Sequence, residues 1–331
     1  MTLSDIAGSP ASPADALQGA GQHAGASAPG PDALGRHWLE HAGQRLAVVP
    51  SRGGAVAAWQ WLPPEGPPLD LWRPWDGSDD LYRQASFAMV PWSNRIAQGG
   101  FAAAGRLHAM QPNRVGEPYP IHGDGWLQPW QLRQSAPGEL EMTLWSDGFG
   151  GSPYRFFARQ VLRLREQGLD QWVEVRHEGD GPLPYGLGLH PWFVRTADTR
   201  IQAAVAGVWL SGNDPIPTSR SRALPPDWCL PEGMPAHGSF IDNAFYGWDG
   251  LARVRWPSRG LQVQLRQVEP VVRSDGHCLV YRPPQGEAFC LEPITHPIDA
   301  FHLPGQEGLR LLAPGESMRL AVAWDLLPDQ A

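Results

Sequence analysis

The chain has 331 residues, 42% of them hydrophobic, and a formal net charge of −8, so it can bury a core and is not globally disordered. The acidic balance argues against nucleic acid or an anionic membrane as a partner. All 26 basic residues are arginine, which excludes a P-loop, Schiff-base chemistry and pyridoxal phosphate.

The N-terminal segment consists mainly of small residues. Of the 27 residues from Ala7 to Ala33, 21 are alanine, glycine, serine or proline. Such a segment buries too little apolar surface to offset the entropy lost on ordering. We therefore predict a flexible tail over residues 1–35, followed by a single domain over residues 36–331. Neither a signal peptide nor a membrane span is evident, so we expect a cytoplasmic protein.

Alternation of apolar and polar residues dominates the remainder of the chain. It recurs in residues 140–144, 159–165, 172–175, 261–265 and 318–324. Clusters rich in glycine and proline separate these runs, and no segment keeps a period of 3.6 residues. The pattern predicts an all-β protein with a large antiparallel β-sandwich-like domain.

Motifs for metals and organic cofactors are missing from the sequence. Cys229, Cys278 and Cys290 form no C-x-x-C pair, and three cysteines fit a reducing compartment rather than a disulfide framework. His296 and His302 do not have metal-ligand spacing, and neither G-x-G-x-x-G nor G-x-S-x-G occurs. We therefore predict no metal and no cofactor.

Two loop-like polar clusters are candidates for sugar binding. Asn94 and Arg95 lie between a proline and a Gly-Gly pair, where their hydrogen-bond donors could hold sugar hydroxyls. Alternatively, this arginine is structural and binds backbone carbonyls. His122 is followed by Gly-Asp-Gly-Trp, and the glycines allow close approach of backbone to a ligand. The alternative is a histidine in an ordinary turn.

Two further clusters place a titratable residue within an apolar run. His190 interrupts the run from Tyr185 to Phe193, and a half-buried imidazole can serve as a general acid near neutral pH. Glu292 follows Phe-Cys-Leu and precedes a proline. A buried carboxylate is costly unless it is paired, so Glu292 is either catalytic or part of a core ion pair with an arginine.

Sixteen tryptophans exceed what a core of this size requires. Four of them stand beside the polar clusters, and such a ring either wedges between sheets or offers a flat apolar wall to a sugar ring. These four are Trp92, Trp126, Trp192 and Trp248.

In their order and spacing, the N-R-I, H-G, G-L-x-x-H-P and E-P segments resemble those of the aldose 1-epimerase (galactose mutarotase) family. The resemblance extends from about residue 36 to the end of the chain. It implies a β-sandwich of the galactose-mutarotase type that acts without a cofactor. It also implies that Glu292 is the general base and His190 the general acid. The sugar would be bound by five other residues, Asn94, Arg95, His122, Trp192 and Asp242.

The chain also departs from the family pattern. Asp124 stands where a second glycine is frequent, Trp192 where tyrosine is common, and Leu279 where many members have glutamine, so the sugar need not be galactose. One alternative is a hexose-6-phosphate 1-epimerase, for which Arg73 and Arg83 are candidate phosphate ligands. Another is a non-catalytic sugar-binding protein on the same fold. We expect a monomer or homodimer.

Overall fold

The structure is a computed structural model that describes residues 30–329. Residues 1–29, which hold most of the predicted tail, lie outside this range. Ahead of the first strand, the carboxylate of Asp32 accepts hydrogen bonds from Arg36 Nε (2.7 Å) and Trp38 Nε1 (3.0 Å). Asp32, which lies within the predicted tail, therefore makes side-chain hydrogen bonds to the residues at the start of the folded chain.

The described residues form 25 strands, and they confirm the predicted all-β class. In chain order these are β1 His37–His41, β2 Gln44–Val49, β3 Ala55–Trp61, β4 Leu69–Trp72, β5 Ala88–Met89, β6 Gly100–Ala103, β7 Arg106–Ala109, β8 Gln131–Ala136, β9 Glu139–Asp147, β10 Arg155–Arg165, β11 Gly168–His177, β12 Leu183–Tyr185, β13 Gly188–Leu189, β14 Trp192–Val194, β15 Arg200–Ala203, β16 Gly207–Ser211, β17 Pro217–Ser221, β18 Met234–Pro235, β19 Ile241–Trp248, β20 Leu251–Trp256, β21 Leu261–Glu269, β22 Gly276–Arg282, β23 Ala288–Ile294, β24 Arg310–Leu312 and β25 Ser317–Pro328. Single-turn 3-10 helices occupy Leu81–Arg83, Gly125–Leu127, Phe149–Gly151, Pro257–Arg259, Ala300–His302 and Pro304–Gln306.

Two large antiparallel sheets account for most of these strands. The first has twelve strands, ten of them in the order β1-β2-β3-β4-β14-β23-β22-β19-β16-β17, with β13 and β5 joined at β23. The second has nine strands in the order β18-β15-β20-β21-β25-β11-β10-β9-β8. Each predicted alternating run lies in one strand of the nine-stranded sheet: β9, β10, β11, β21 and β25.

The two sheets pack face to face through large aromatic side chains. Trp72 of the twelve-stranded sheet meets Trp324 of the nine-stranded sheet edge to face, with ring centroids 5.3 Å apart. Phe193 lies 6.4 Å from Trp256 across the same interface, and all four side chains are fully buried. Sheet faces that bury aromatic rings in this way remove a large apolar area from water, which stabilises a sandwich.

The central strands of the twelve-stranded sheet are buried on both faces. In β23, Phe289 and Leu291 point into the main core, so the alternate residues Cys290 and Glu292 lie on the outer face. The neighbouring strands repeat this division, and irregular segments between β5 and β8 cover the outer face. A cavity between that face and those segments contains the candidate site. Within residues 30–329, no helix is long and apolar enough to cross a membrane.

Candidate active site

A cavity of about 350 Å³ lies on the outer face of the twelve-stranded sheet. All seven site residues expected from the sequence line it: Asn94, Arg95, His122, His190, Trp192, Asp242 and Glu292. Seven further residues complete the lining: Tyr82, Arg114, Glu117, Ile121, Phe240, Leu279 and Tyr281. Side chains separated by up to about 200 positions in the chain therefore meet at one place.

Strand register accounts for the residues on the floor of the cavity. Leu279 of β22 lies opposite Glu292 of β23, and Cys290 of β23 lies opposite Tyr281 of β22 and Trp192 of β14. Because alternate residues of a strand share a face, these side chains project toward the cavity together.

The segment carrying Asn94 and Arg95 is fixed by buried side chains. The backbone N–H of Ser93 donates to Nε2 of His296 (3.1 Å), and that of Ala97 donates to the Asp299 carboxylate (2.9 Å). Asn94 itself has a φ of 54°, a left-handed conformation that asparagine tolerates better than most residues. The segment thus presents Arg95 on a rigid support.

His122 also has a left-handed backbone, with a φ of 59°. Its Nδ1 accepts a hydrogen bond from the backbone N–H of Asn94 (3.1 Å). Burial holds the pKa of His122 well below its usual value, and the nearby His190 and Arg95 lower this pKa further. The imidazole is therefore neutral with its proton on Nε2, which makes it a hydrogen-bond donor toward the cavity.

Arg95 connects two carboxylates at the wall of the cavity. Its Nη1 donates to Asp242 (3.2 Å) and its Nε to Glu117 (3.0 Å). Burial lowers the pKa of Arg95, but these two carboxylates outweigh burial and raise it. Burial raises the pKa of Asp242, opposed by Arg95. Glu117 was not expected from the sequence, because no motif marks it.

Glu292 and His190 form a buried pair at the bottom of the cavity. Their Oε1 and Nε2 atoms are 3.5 Å apart, and the side chains are only 1% and 6% exposed. Burial raises the pKa of Glu292 well above its usual value and lowers that of His190 to about 3. Both shifts favour an uncharged pair, with one proton on the carboxyl group.

Two aromatic rings hold the His190 imidazole in place. Phe87 stacks on it with ring centroids 4.6 Å apart, and Trp192 stacks on it with centroids 5.5 Å apart. The guanidinium of Arg73 in turn lies 4.3 Å from the centre of the Trp192 ring. Imidazole rotation is therefore restricted, and Nε2 stays directed at Glu292.

Of the four tryptophans considered as a sugar-binding wall, only Trp192 lines the cavity. Trp92 and Trp248 belong to the main core, and Trp126 packs behind the site on Phe87. For these three the wedge interpretation is correct, because they fill space between buried elements.

One group of three potential metal ligands occurs among the described residues. Donor atoms of His190, Cys290 and Glu292 all lie within 4.8 Å of one another, and all three residues are buried. The sequence did not indicate this set, because His190 is 100 positions away from Cys290 and the three residues share no motif spacing.

Comparison with known proteins identifies the family and the fold of this chain. The family profile described as "Aldose 1-epimerase" matches residues 36–324. YphB of Escherichia coli K12, whose own function is uncharacterized, is 30% identical over 296 residues, which cover 86% of this chain and 98% of YphB. A crystal structure of an E. coli K12 protein provisionally assigned as an aldose 1-epimerase superposes with a TM-score of 0.81 at 27% identity, covering 88% of this chain and 99% of the other. A GalM/aldose epimerase homologue from C. elegans shares the fold, with a TM-score of 0.71 at 15% identity and coverages of 89% and 100%.

Proposed function

Because the chain belongs to the aldose 1-epimerase family, we propose that it interconverts the α and β anomers of a free aldose by opening and reclosing the sugar ring. The observation that carries this proposal is the buried pair of proton-transfer groups, Glu292 and His190, at the bottom of a cavity lined by hydrogen-bonding side chains. Mutarotation requires little more than one base and one acid held against the same ring.

Ring opening uses the charged form of the pair. The Glu292 carboxylate takes the proton from the anomeric hydroxyl, while protonated His190 gives its proton to the ring oxygen. The bond between the anomeric carbon and the ring oxygen breaks, leaving an open-chain aldehyde, a neutral Glu292 and a neutral His190. Each positioned proton-transfer group typically accelerates such a step by ~10²–10⁴-fold.

Ring closure uses the uncharged form of the same pair. Rotation about the bond between C1 and C2 presents the other face of the aldehyde to the ring hydroxyl. His190 then takes the hydroxyl proton and Glu292 returns a proton to the carbonyl oxygen. Closure therefore leaves a Glu292 carboxylate and a protonated His190, which is the form that opens the next ring. Burial favours the uncharged form, and at 3.5 Å a proton can pass between the two groups to interconvert the two forms.

The remaining polar residues would hold the sugar in register with the pair. His122 offers a donor, Asp242 offers acceptors, and Arg95 offers donors that its carboxylate partners orient. The Trp192 ring provides an apolar surface for the C–H face of the sugar. These contacts would keep the anomeric hydroxyl at Glu292 and the ring oxygen at His190 through both half-reactions.

The two arginines considered as phosphate ligands already have partners, which favours a free sugar over a phosphorylated one as the substrate. Arg73 and Arg83 line an adjoining cavity on the far side of Trp192 and Tyr281. Arg83 is already paired with Asp76 (2.8 Å) and Glu287 (3.1 Å), and Arg73 donates to backbone carbonyls. A phosphate would therefore find these arginines engaged.

A purely sugar-binding role is the second alternative. Burying a carboxyl group and an imidazole that pair with no other charges is costly. Sugar binding alone does not require such a pair. The pair is better explained by proton transfer.

Polarimetry tests the proposal directly. Freshly dissolved α-anomers of common hexoses and pentoses, and of the hexoses with a 6-phosphate, should show accelerated mutarotation with the free sugar as the better substrate. Glu292→Gln keeps the size of the side chain but removes the base, and His190→Asn removes the acid. Each should lower kcat by at least ~10²-fold, equivalent to ~2.7 kcal/mol, and the double variant should lose less than the sum.

Glu141→Gln is a matched control, since Glu141 pairs with Arg159 on β9 and β10, away from the cavity. It should leave kcat unchanged. A Glu292→Gln variant that has the circular dichroism spectrum of the wild type and near-full activity on a verified sugar would show that Glu292 is not the base.

A further inference from the structure

Cys290 has no part in the proposed mechanism, yet it lies beside both proton-transfer groups. It precedes Glu292 by two residues on β23, so the two side chains share the outer face of the sheet. The thiol is fully buried beneath Trp192 and Tyr281, its neighbours in register. Sulfur, nitrogen and oxygen donors from three side chains thus converge at the bottom of the cavity, within 4.8 Å of one another.

The separations suit a tetrahedral metal ion. With metal–sulfur bonds of about 2.3 Å and metal–nitrogen or metal–oxygen bonds of about 2.0–2.2 Å, tetrahedral donors lie about 3.3–3.6 Å apart. His190 Nε2 and Glu292 Oε1 are already 3.5 Å apart. The separations that involve Cys290 are at most 4.8 Å, so side-chain movements of about 1 Å bring all three donors to tetrahedral distances.

The chemistry of the donors also selects the ion. Thiolate and imidazole ligands favour zinc and other borderline or soft cations over magnesium or calcium, which prefer oxygen. A thiolate and a carboxylate together neutralise a divalent ion, so the complex carries no net charge in a buried site. Moreover, Nδ1 of His190 and Oε2 of Glu292, the atoms that face away from the ion, are buried without a hydrogen-bond partner, so no hydrogen bond at these atoms opposes a small movement of either side chain toward the ion.

An entering ion reaches this group through the sugar cavity. His190 and Glu292 line that cavity, and a fourth coordination position would face it, open to water or a sugar hydroxyl. Binding forms bonds from the metal to sulfur, nitrogen and oxygen and releases to solvent the thiol proton and the proton shared by Glu292 and His190.

We propose that His190, Cys290 and Glu292 form a binding site for a thiophilic divalent cation, best matched by Zn²⁺, and that occupation of this site reversibly inhibits the enzyme. The binding part stands on the donor geometry alone. The inhibition part rests on the proposed function, because the metal would occupy the two atoms that transfer protons.

Cobalt absorption tests binding without any assay of activity. Co²⁺ added to the full-length, metal-free protein should produce the near-ultraviolet charge-transfer band of a cobalt–thiolate bond. Cys290→Ala should abolish the band. Cys278→Ala is the matched control, because Cys278 is an equally buried thiol on β22 that belongs to the main core, and it should retain the band. Absence of the band in wild type, or its persistence in Cys290→Ala, would overturn the proposal.

Zinc inhibition tests the consequence. Zn²⁺ should slow mutarotation by the wild type and by Cys278→Ala, EDTA should restore the rate, and Mg²⁺ should have no effect. Cys290→Ala should need at least about tenfold more Zn²⁺ for equal inhibition. If Cys290→Ala does not fold, Cys290→Ser replaces it, since a hydroxyl is a poor ligand for a soft cation. If the cobalt band appears but no sugar undergoes accelerated mutarotation, the metal site stands and the proposed function is wrong. If Zn²⁺ does not slow mutarotation, the proposed inhibition is wrong.

Discussion

At the scale of single residues, the cavity holds its charges in close-packed groups. Arg95 stands between Asp242 and Glu117, and Glu292 stands against His190. Each group limits the cost of burying its members, so removal of one member leaves a partner without compensation. Substitutions of similar residue types therefore change activity and the free energy of unfolding by different amounts, depending on which partner is left without compensation.

Replacing Arg95 with alanine should raise KM as well as lower kcat. The substitution removes a cation that lines the cavity and leaves the carboxylates of Asp242 and Glu117 without their common partner. Loss of a buried pairing partner typically costs about 3–5 kcal/mol, so the free energy of unfolding should also fall. Mutarotation kinetics and urea denaturation measure the two effects. An unchanged KM would show that Arg95 does not contact the sugar.

Asp124 should make stability depend on pH. Burial raises its pKa to about 7, opposed by hydrogen bonds from Ser152, Ser146 and Gln128. Because the folded-state pKa exceeds the ordinary value of 3.8, its contribution is fully present below about pH 4 and is lost as pH rises toward 7. Above pH 7 the contribution changes no further.

The variant Asp124→Asn cannot ionise but keeps an oxygen that accepts from Gln128. Its stability relative to wild type should therefore improve between pH 5 and pH 7, by at most about 1.4 kcal/mol per pH unit. Urea midpoints at the two pH values measure the difference. An equal stability difference at both values would mean that Asp124 does not titrate in this range.

At the scale of elements, the irregular segment before β8 depends on one amide side chain. Asn113 donates from Nδ2 to the carbonyls of Ile121 (2.9 Å) and Gly123 (2.7 Å), and its Oδ1 accepts from the N–H of Ile121 (2.8 Å). These bonds bracket His122, whose left-handed backbone requires such support. Asn113 is thus a positioning residue for the His122 imidazole.

Asn113→Ala should lower the free energy of unfolding by roughly 1–3 kcal/mol and raise KM more than it lowers kcat. Gln160→Ala is the control: Gln160 is a buried amide on β10 whose Nε2 donates to the carbonyl of Gly54 (2.9 Å), away from the cavity. It should lose stability but keep the KM of the wild type. Equal KM values for both variants would rule out the positioning role.

At the scale of the whole molecule, the two sheets and the cavity are formed by residues within the range 30–329. The composition of the preceding residues predicts that they have no apolar face to pack against this domain. Deleting residues 1–29 should therefore leave the melting temperature and mutarotation unchanged. A deletion through Ala33 also removes Asp32 and its bonds to Arg36 and Trp38, and should lower the melting temperature by a few degrees. Calorimetry of both truncated proteins measures the effect, and a large loss from the shorter deletion would contradict the predicted tail.

The sequence by itself determined the β class, because alternation of apolar and polar residues is a local property that survives in any register. It also pointed to residues that line one cavity, since Asn94, His122, His190 and Glu292 stand in short, recognisable segments. In the central strands of the twelve-stranded sheet the alternation is hidden, because both faces are buried and apolar residues occupy nearly every position.

Only the tertiary structure decided which side chains meet. Strand register places Cys290 beneath Trp192 and Tyr281. Contact between the irregular segment before β6 and the one after β7 joins Arg95 to Glu117. The tertiary structure also separates Trp192, which lines the cavity, from Trp92 and Trp248, which fill the core. These relations depend on contacts between residues far apart in the chain, and a local pattern of residue types carries no information about such distances.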